Sequence, residues 1–173
     1  MTIDVKSYPG IPADKRGWGS GWPHCQYEKW ITAPSPVFGK VHKDVVILFG
    51  LLINETEDRG YNLKGDGLTG GTSQCWGADC RPIKSLINGV IVLTKIPSNH
   101  SWGLAVDLNS SDNQYGGATH TIPDWMVTLW NKYGFRWGGD YPHTKDWMHF
   151  EFMGTPKQAV RLPSPCRYST VRT

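Results

Sequence analysis

The sequence predicts an α+β fold, a small antiparallel sheet flanked by helices. Two stretches alternate apolar and polar residues with a period of two, "GLAVDLN" at 103–109 and "WMHFEFM" at 147–153. Two others repeat apolar residues at helical spacing, over 41–59 and 122–133. Their order, helix, strands, helix, strand, with short intervals between strands, suits antiparallel pairing better than parallel crossovers.

Taken along the chain, residues 1–36 are rich in Gly, Pro and Trp and show no period, so they read as an irregular arm packed on the domain. The first helix is expected from Val41 to Arg59, with Val41, Val45, Leu48, Phe49 and Leu52 on one face and Gly60 as its stop. Glu55, Glu57 and Asp58 near its end oppose the helix dipole, so burial has to hold it. "GDGLTGG" at 65–71 reads as a loop and "NGVIVL" at 88–93 as a strand. In 103–109, Leu104, Val106 and Leu108 face one way, and Gly103, Ala105 and Asp107 the other. The second helix, "IPDWMVTLWNKY", has Pro123 in its first turn and Gly134 after its end. In 147–153, Met148, Phe150 and Phe152 share one face; Trp147, His149 and Glu151 share the other.

Composition sets outer limits. With 173 residues, 39% apolar and 19% charged, the chain is long enough for one domain with a core and is of globular type. A net charge of +3 without a dense Lys/Arg run is too small to imply nucleic-acid binding. "VVILFGLLI" at 45–53 is far shorter than the roughly 20 residues of a membrane span, and "MTIDVKSYPGIP" has no apolar signal core. No membrane insertion is expected. Nine tryptophans, five of them beside glycine, suggest aromatic packing under loops or an aromatic groove. Of the four cysteines, Cys75 and Cys80 are spaced to close a small disulfide loop, to remain free thiols or to contribute to a metal site.

The polar faces of the two alternating strands carry the chemistry. Gly103 and Ala105 leave room above the sheet, so Asp107 can project into an open volume. His149 projects from the equivalent face of the other strand, and His100 can fold over the same space from the preceding loop. Two imidazoles and a carboxylate are the ligand set of a three-ligand catalytic zinc site, which keeps one position for water. A proton acceptor is then needed nearby. Asp146 and Glu151 are both candidates, and the period of two favours Glu151; its other role would be to support a ligand imidazole. His24, His42, His120 and His143 read as surface or loop residues.

At these residues the chain resembles a known family. "SNHSWGLAVDLN" at 98–109 matches the Ser-x-His-x-x-Gly-x-Ala-x-Asp pattern of zinc peptidases related to D-alanyl-D-alanine carboxypeptidases, and "DWMHFEF" at 146–152 resembles their closing segment. "YGFRWGGDY", "GTSQCWGADCRPI" and "RGWGSGWP" resemble the bacteriophage endolysin branch. The resemblance implies one Zn2+ held by His100, Asp107 and His149, with Asp146 as general base where many relatives carry Glu. It leaves Glu151 to support a ligand. It also implies substrate-binding roles for Arg81, suited to a substrate carboxylate, and for Ser98.

By the same resemblance the chain is expected to be a phage endolysin, a zinc metallopeptidase that cuts an amide in the peptide stem of bacterial peptidoglycan, with the L-Ala–D-Glu bond favoured. A D-Ala–D-Ala carboxypeptidase and a zinc-containing, non-catalytic wall-binding module are alternatives, and a structural zinc site on Cys75 and Cys80 is a further rival. The expected layout is the arm at 1–36, a catalytic domain at 37–165 and a tail at 166–173. The expected protein is a monomer that stays in the host cytoplasm until holin-type release lets it reach the wall.

Overall fold

A computed structural model describes residues 3–5, 13–19, 30–32, 40–63 and 74–161, with side chains left undescribed at 30–32. Its elements run β1 (Trp30–Thr32), β2 (Lys40–His42), α1 (Val46–Asp58), β3 (Pro82–Ile87), β4 (Val90–Pro97), β5 (Ala105–Asp107), α2 (Asp124–Lys132), β6 (Phe135–Trp137), β7 (His149–Phe152) and α3 (Pro156–Ala159). The class is α+β, as the alternating and helical periods require. The strands form three antiparallel groups: the pairs β1–β2 and β3–β4, and a three-stranded sheet in the order β5-β7-β6.

The three-stranded sheet organises the molecule. Val106 pairs with Phe150, which pairs in turn with Trp137, and Phe135 pairs with Phe152. These side chains lie on one face and are buried. The helices cover that face: Phe49 of α1 stands 4.8 Å from Phe135, and Trp130 of α2 stands 4.7 Å from Phe150 and 5.1 Å from Phe135. Each such ring buries roughly 150–250 Å², so aromatic contact supplies a large share of this core. The Trp130 indole also donates to Thr56 Oγ1 of α1 (3.0 Å), which removes the cost of burying its N–H. The opposite face carries Asp107, His149, Glu151 and Arg136.

Helix α1 starts later than its apolar period suggests. Val41 and His42 belong to β2, where the His42 N–H donates to Gly103 O, although Val41 and Val45 are in the core all the same. The acidic end of α1 has no basic partner in its last turn, and Glu55 is instead bridged by Arg59 just beyond it. Gly60 follows with φ +91°, a value that suits glycine at a helix end. Helix α2 is shorter than its period, and Pro123 caps it rather than entering it. The 88–93 strand becomes β4, shifted later: Asn88 and Gly89, both at positive φ, form the turn that joins it to β3.

His42 departs from the expected surface position. It is buried against the Trp18 ring at 4.9 Å. Trp18 and Arg16 attach the arm to the domain, donating to Gly154 O, and Arg16 donates also to Phe152 O. The loop at 65–71, His24, Cys25 and the tail at 166–173 lie outside the described residues. Cys75 is a buried thiol, whereas Cys80 is disulfide-bonded. A Cys75–Cys80 bridge is therefore ruled out, and so is a metal site that needs both thiolates.

Candidate metal centre

Two structural devices deliver the three predicted ligands. Asp107 and His149 face each other directly across the β5–β7 pair. His100 sits in a 3-10 turn, Asn99–Trp102, capped by the Ser98 hydroxyl, which accepts from the His100 N–H at 3.4 Å. Gly103, at φ +63°, ends that turn and leads into β5. His149 Nδ1 lies 2.9 Å from Asp107 Oδ1; His100 Nε2 lies 3.1 Å from the same oxygen and 3.1 Å from His149 Nδ1.

Among the described residues, this is the group whose donor atoms gather closely enough to hold an ion. All three residues are buried. One ion with bonds of about 2.0–2.1 Å can touch all three atoms of so small a triangle, and the N, N, O donor set suits zinc.

The surroundings orient each donor. His100 Nδ1 lies 2.6 Å from the Gly77 carbonyl, so it carries the proton and Nε2 presents a lone pair to the centre. His149 Nε2 faces Glu151 Oε2 at 3.6 Å, which leaves Nδ1 inward. Asp107 Oδ2 accepts from an Arg81 Nη at 3.0 Å, and Arg81 Nε reaches Asp79 at 3.3 Å. Burial pushes the Asp107 carboxyl upward, but the two imidazoles hold it well below the usual carboxylate range. Burial alone would depress His149; the Asp107 and Glu151 carboxylates instead raise it to about 10 in the metal-free protein.

Asp146 occupies a different environment. Its carbonyl accepts from the His149 N–H (3.1 Å), so the two-residue spacing of "DWMH" is a tight turn that folds Asp146 back beside the centre. Close approach of Gly138 makes room for that turn. A Cβ there would stand 2.4 Å from the Asp146 carbonyl oxygen and 3.1 Å from the His149 Cβ. Asp146 Oδ1 is buried with no hydrogen-bond partner among the described residues. Burial raises its carboxyl to about 6; His149 pulls against this and Asp107 adds to it.

Glu151 is held quite differently. It pairs with Arg136, its cross-strand neighbour, and accepts from Tyr141 Oη at 2.7 Å and from the Asn99 amide. Burial pushes it up, but His149 and Arg136 bring it well below the usual range. A carboxylate so fully engaged is a poor proton acceptor, which favours Asp146 over the strand-period choice. Arg16 also enters this network, donating to Asn99 Oδ1 at 3.0 Å. Because Arg can only donate and Glu151 only accept, the Asn99 amide has one orientation available.

Arg16, Asn99, Arg136, Tyr141 and the Gly77 carbonyl were not indicated by motif spacing. Arg136 had a signal, since it alternates out of an apolar run beside Phe135 and Trp137. Arg16 had none, because it lies 83 residues from Asn99.

Residues 93–152 match a sequence model of the D-alanyl-D-alanine carboxypeptidase family. The matched stretch contains Ser98, His100, Asp107, Asp146, His149 and Glu151 and leaves out Arg81. No curated protein and no solved structure matches the chain.

Proposed function

We propose that this protein is a zinc peptidase that hydrolyses an amide in the peptide stem of bacterial peptidoglycan. The observation that carries the reading is the buried His100–Asp107–His149 donor triangle beside Asp146, a carboxylate whose Oδ1 has no partner among the described residues. The family similarity over 93–152 supports the same chemistry.

A zinc ion held by those three residues would supply a Lewis acid, lowering the pKa of water toward about 7 and stabilising negative charge on the amide oxygen. The protein's own groups do the rest. Asp146 takes a proton from the attacking water as the C–O bond forms. It returns that proton to the amide nitrogen as the C–N bond breaks. Arg81 holds Asp107 in place and is suited to pair with a substrate carboxylate. Ser98 keeps the His100 turn closed. Glu151, anchored by Arg136, Tyr141 and Asn99, keeps the His149 ring in one orientation.

Within this reading the chain acts as a phage endolysin, released by a holin-type route, and favours the L-Ala–D-Glu bond. These finer points rest on the motif resemblance. The test is digestion of purified peptidoglycan by the zinc-loaded protein, with mass spectrometry of the fragments. New termini at L-Ala and D-Glu are expected. Release of D-Ala alone would mean a carboxypeptidase, and an unchanged wall would reduce the protein to a binding module.

A further inference from the structure

The β3–β4 hairpin stands apart from the rest of the surface. Along it, Ile87 and Val90 are 54% and 62% exposed, and Ile91 and Leu93 are 54% and 62% exposed. Register places Ile87, Val90 and Val92 on one face and Leu86, Ile91 and Leu93 on the other. A hairpin lying on a protein core is apolar on one face and polar on the other. This one is apolar on both faces around its Asn88–Gly89 turn. A single flat partner, including a second copy of the chain, would cover one face and leave the other in water. A surrounding apolar medium would cover both.

Charge points the same way. Residues 82–97 contain Lys84 and Lys95, both exposed, and no Asp or Glu. Lys84 pairs directly with Leu93 at the inner edge of the apolar tip, and Lys95 lies two residues further along β4 toward the stem. From the Asn88–Gly89 turn to the Lys84–Leu93 pair the hairpin has four residues on each strand, about 13 Å at ~3.3 Å per residue. The two apolar pairs nearest the turn, Ile87–Val90 and Leu86–Ile91, span roughly 7 Å of this, within the about 5–10 Å by which interfacial elements enter the boundary between headgroups and acyl chains. With those pairs in the boundary, Lys84 comes level with the lipid headgroups, and Lys95 lies just outside them, where its long side chain still reaches lipid phosphate.

We infer that the β3–β4 hairpin docks this protein on a bilayer surface that carries anionic phospholipid. The expectation of no membrane insertion rested on the lack of a spanning run, and docking at the interface requires no span. No helix among the described residues is long and apolar enough to cross a membrane. The stem roots at the candidate centre. The Ser98 N–H donates to Arg81 O at 3.0 Å where the hairpin closes, and Tyr115 Oη donates to Lys84 O at 3.2 Å along its edge. Docking would therefore hold His100 and Asp107 near the membrane surface.

The test is co-sedimentation of the full chain with two kinds of vesicle, phosphatidylcholine alone and phosphatidylcholine with phosphatidylglycerol. Binding is expected to the anionic vesicles, weakened by salt. Ile87→Thr with Val90→Thr keeps β-branched side chains at exposed positions and should lower binding at least tenfold without changing the melting temperature. Lys84→Gln with Lys95→Gln should remove most of the anionic preference, at about fivefold per lysine. Wild-type protein that stays in the supernatant with anionic vesicles overturns the inference. So does a concentration-dependent dimer that the threonine variant dissolves, because the hairpin would then be a contact between copies. Zinc content and cleavage of soluble wall fragments should be unchanged in the threonine variant, so this result stands or falls separately from the peptidase reading.

Discussion

Asp107 Oδ1 and His149 Nδ1 meet 2.9 Å apart across directly paired strands, so the register of β5 against β7 itself builds one edge of the donor triangle. A slip of one strand by one residue would turn its ligand into the aromatic core and break the triangle. Alanine at His100, Asp107 or His149 is therefore expected to reduce bound zinc and peptidase activity together. Elemental analysis of the three purified variants checks this, and unchanged zinc in all three would move the centre elsewhere.

Metal uptake should depend on pH in a defined direction. His149 is raised to about 10 without metal, so at neutral pH an ion must displace its proton. Zinc affinity is expected to rise about tenfold per pH unit around neutrality, with one proton released per ion. Isothermal titration in two buffers of different ionisation enthalpy measures that proton directly. A flat affinity between about pH 6.5 and about pH 8, across and just above the range where imidazole normally titrates, would contradict the protonated His149.

Asp146 is raised to about 6 and has to be ionised to accept a proton. Activity should therefore fall on the acid side, and a bound cation would shift that limb to lower pH. Stability has the opposite sign. The folded chain holds this proton more tightly than the unfolded chain, so the contribution of Asp146 to stability grows as pH falls from about 6 toward 3.8 and is lost above. Asp146→Asn is expected to lower turnover by about 10²–10⁴-fold, retain zinc and melt no lower than wild type at neutral pH. Full activity in this variant would identify another base.

Glu151 should behave in the reverse way. Glu151→Gln leaves the Arg136 guanidinium without its buried counter-charge, a change that costs about 3–5 kcal/mol in comparable buried pairs. Thermal denaturation should show a large loss for Glu151→Gln where Asp146→Asn shows none. Equal melting temperatures for the two variants would mean that the Arg136–Glu151 pair does not hold the sheet.

Gly138→Ala tests the turn. The new methyl would meet the Asp146 carbonyl at 2.4 Å, and that backbone atom cannot swing aside as a flexible side-chain end can. Turnover is expected to fall well before zinc binding does, because Asp146 is displaced first. Wild-type kinetics in Gly138→Ala would show that the loop relaxes without cost.

The sequence by itself determined the α+β class, through the alternation of 103–109 and 147–153 and the helical spacing of 41–59 and 122–133, and which face of each strand is apolar, because a period of two leaves one arrangement once one face is buried. It also put Asp107 and His149 on the polar faces of their strands. The period of two left Asp146 and Glu151 both open, and the tertiary structure gives the two carboxylates different environments. A tight turn folds the first beside the centre with one oxygen unpaired, while Arg136 and Tyr141, brought in by the neighbouring strand and the loop after it, occupy the second. Strands β3 and β6 were not read as strands from the sequence: β3 has no clean alternation and β6 is three residues long, so each is defined by what pairs with it. The same holds for Arg16, whose contact with Asn99 depends on where the arm crosses the sheet, a relation between distant segments that no local period records.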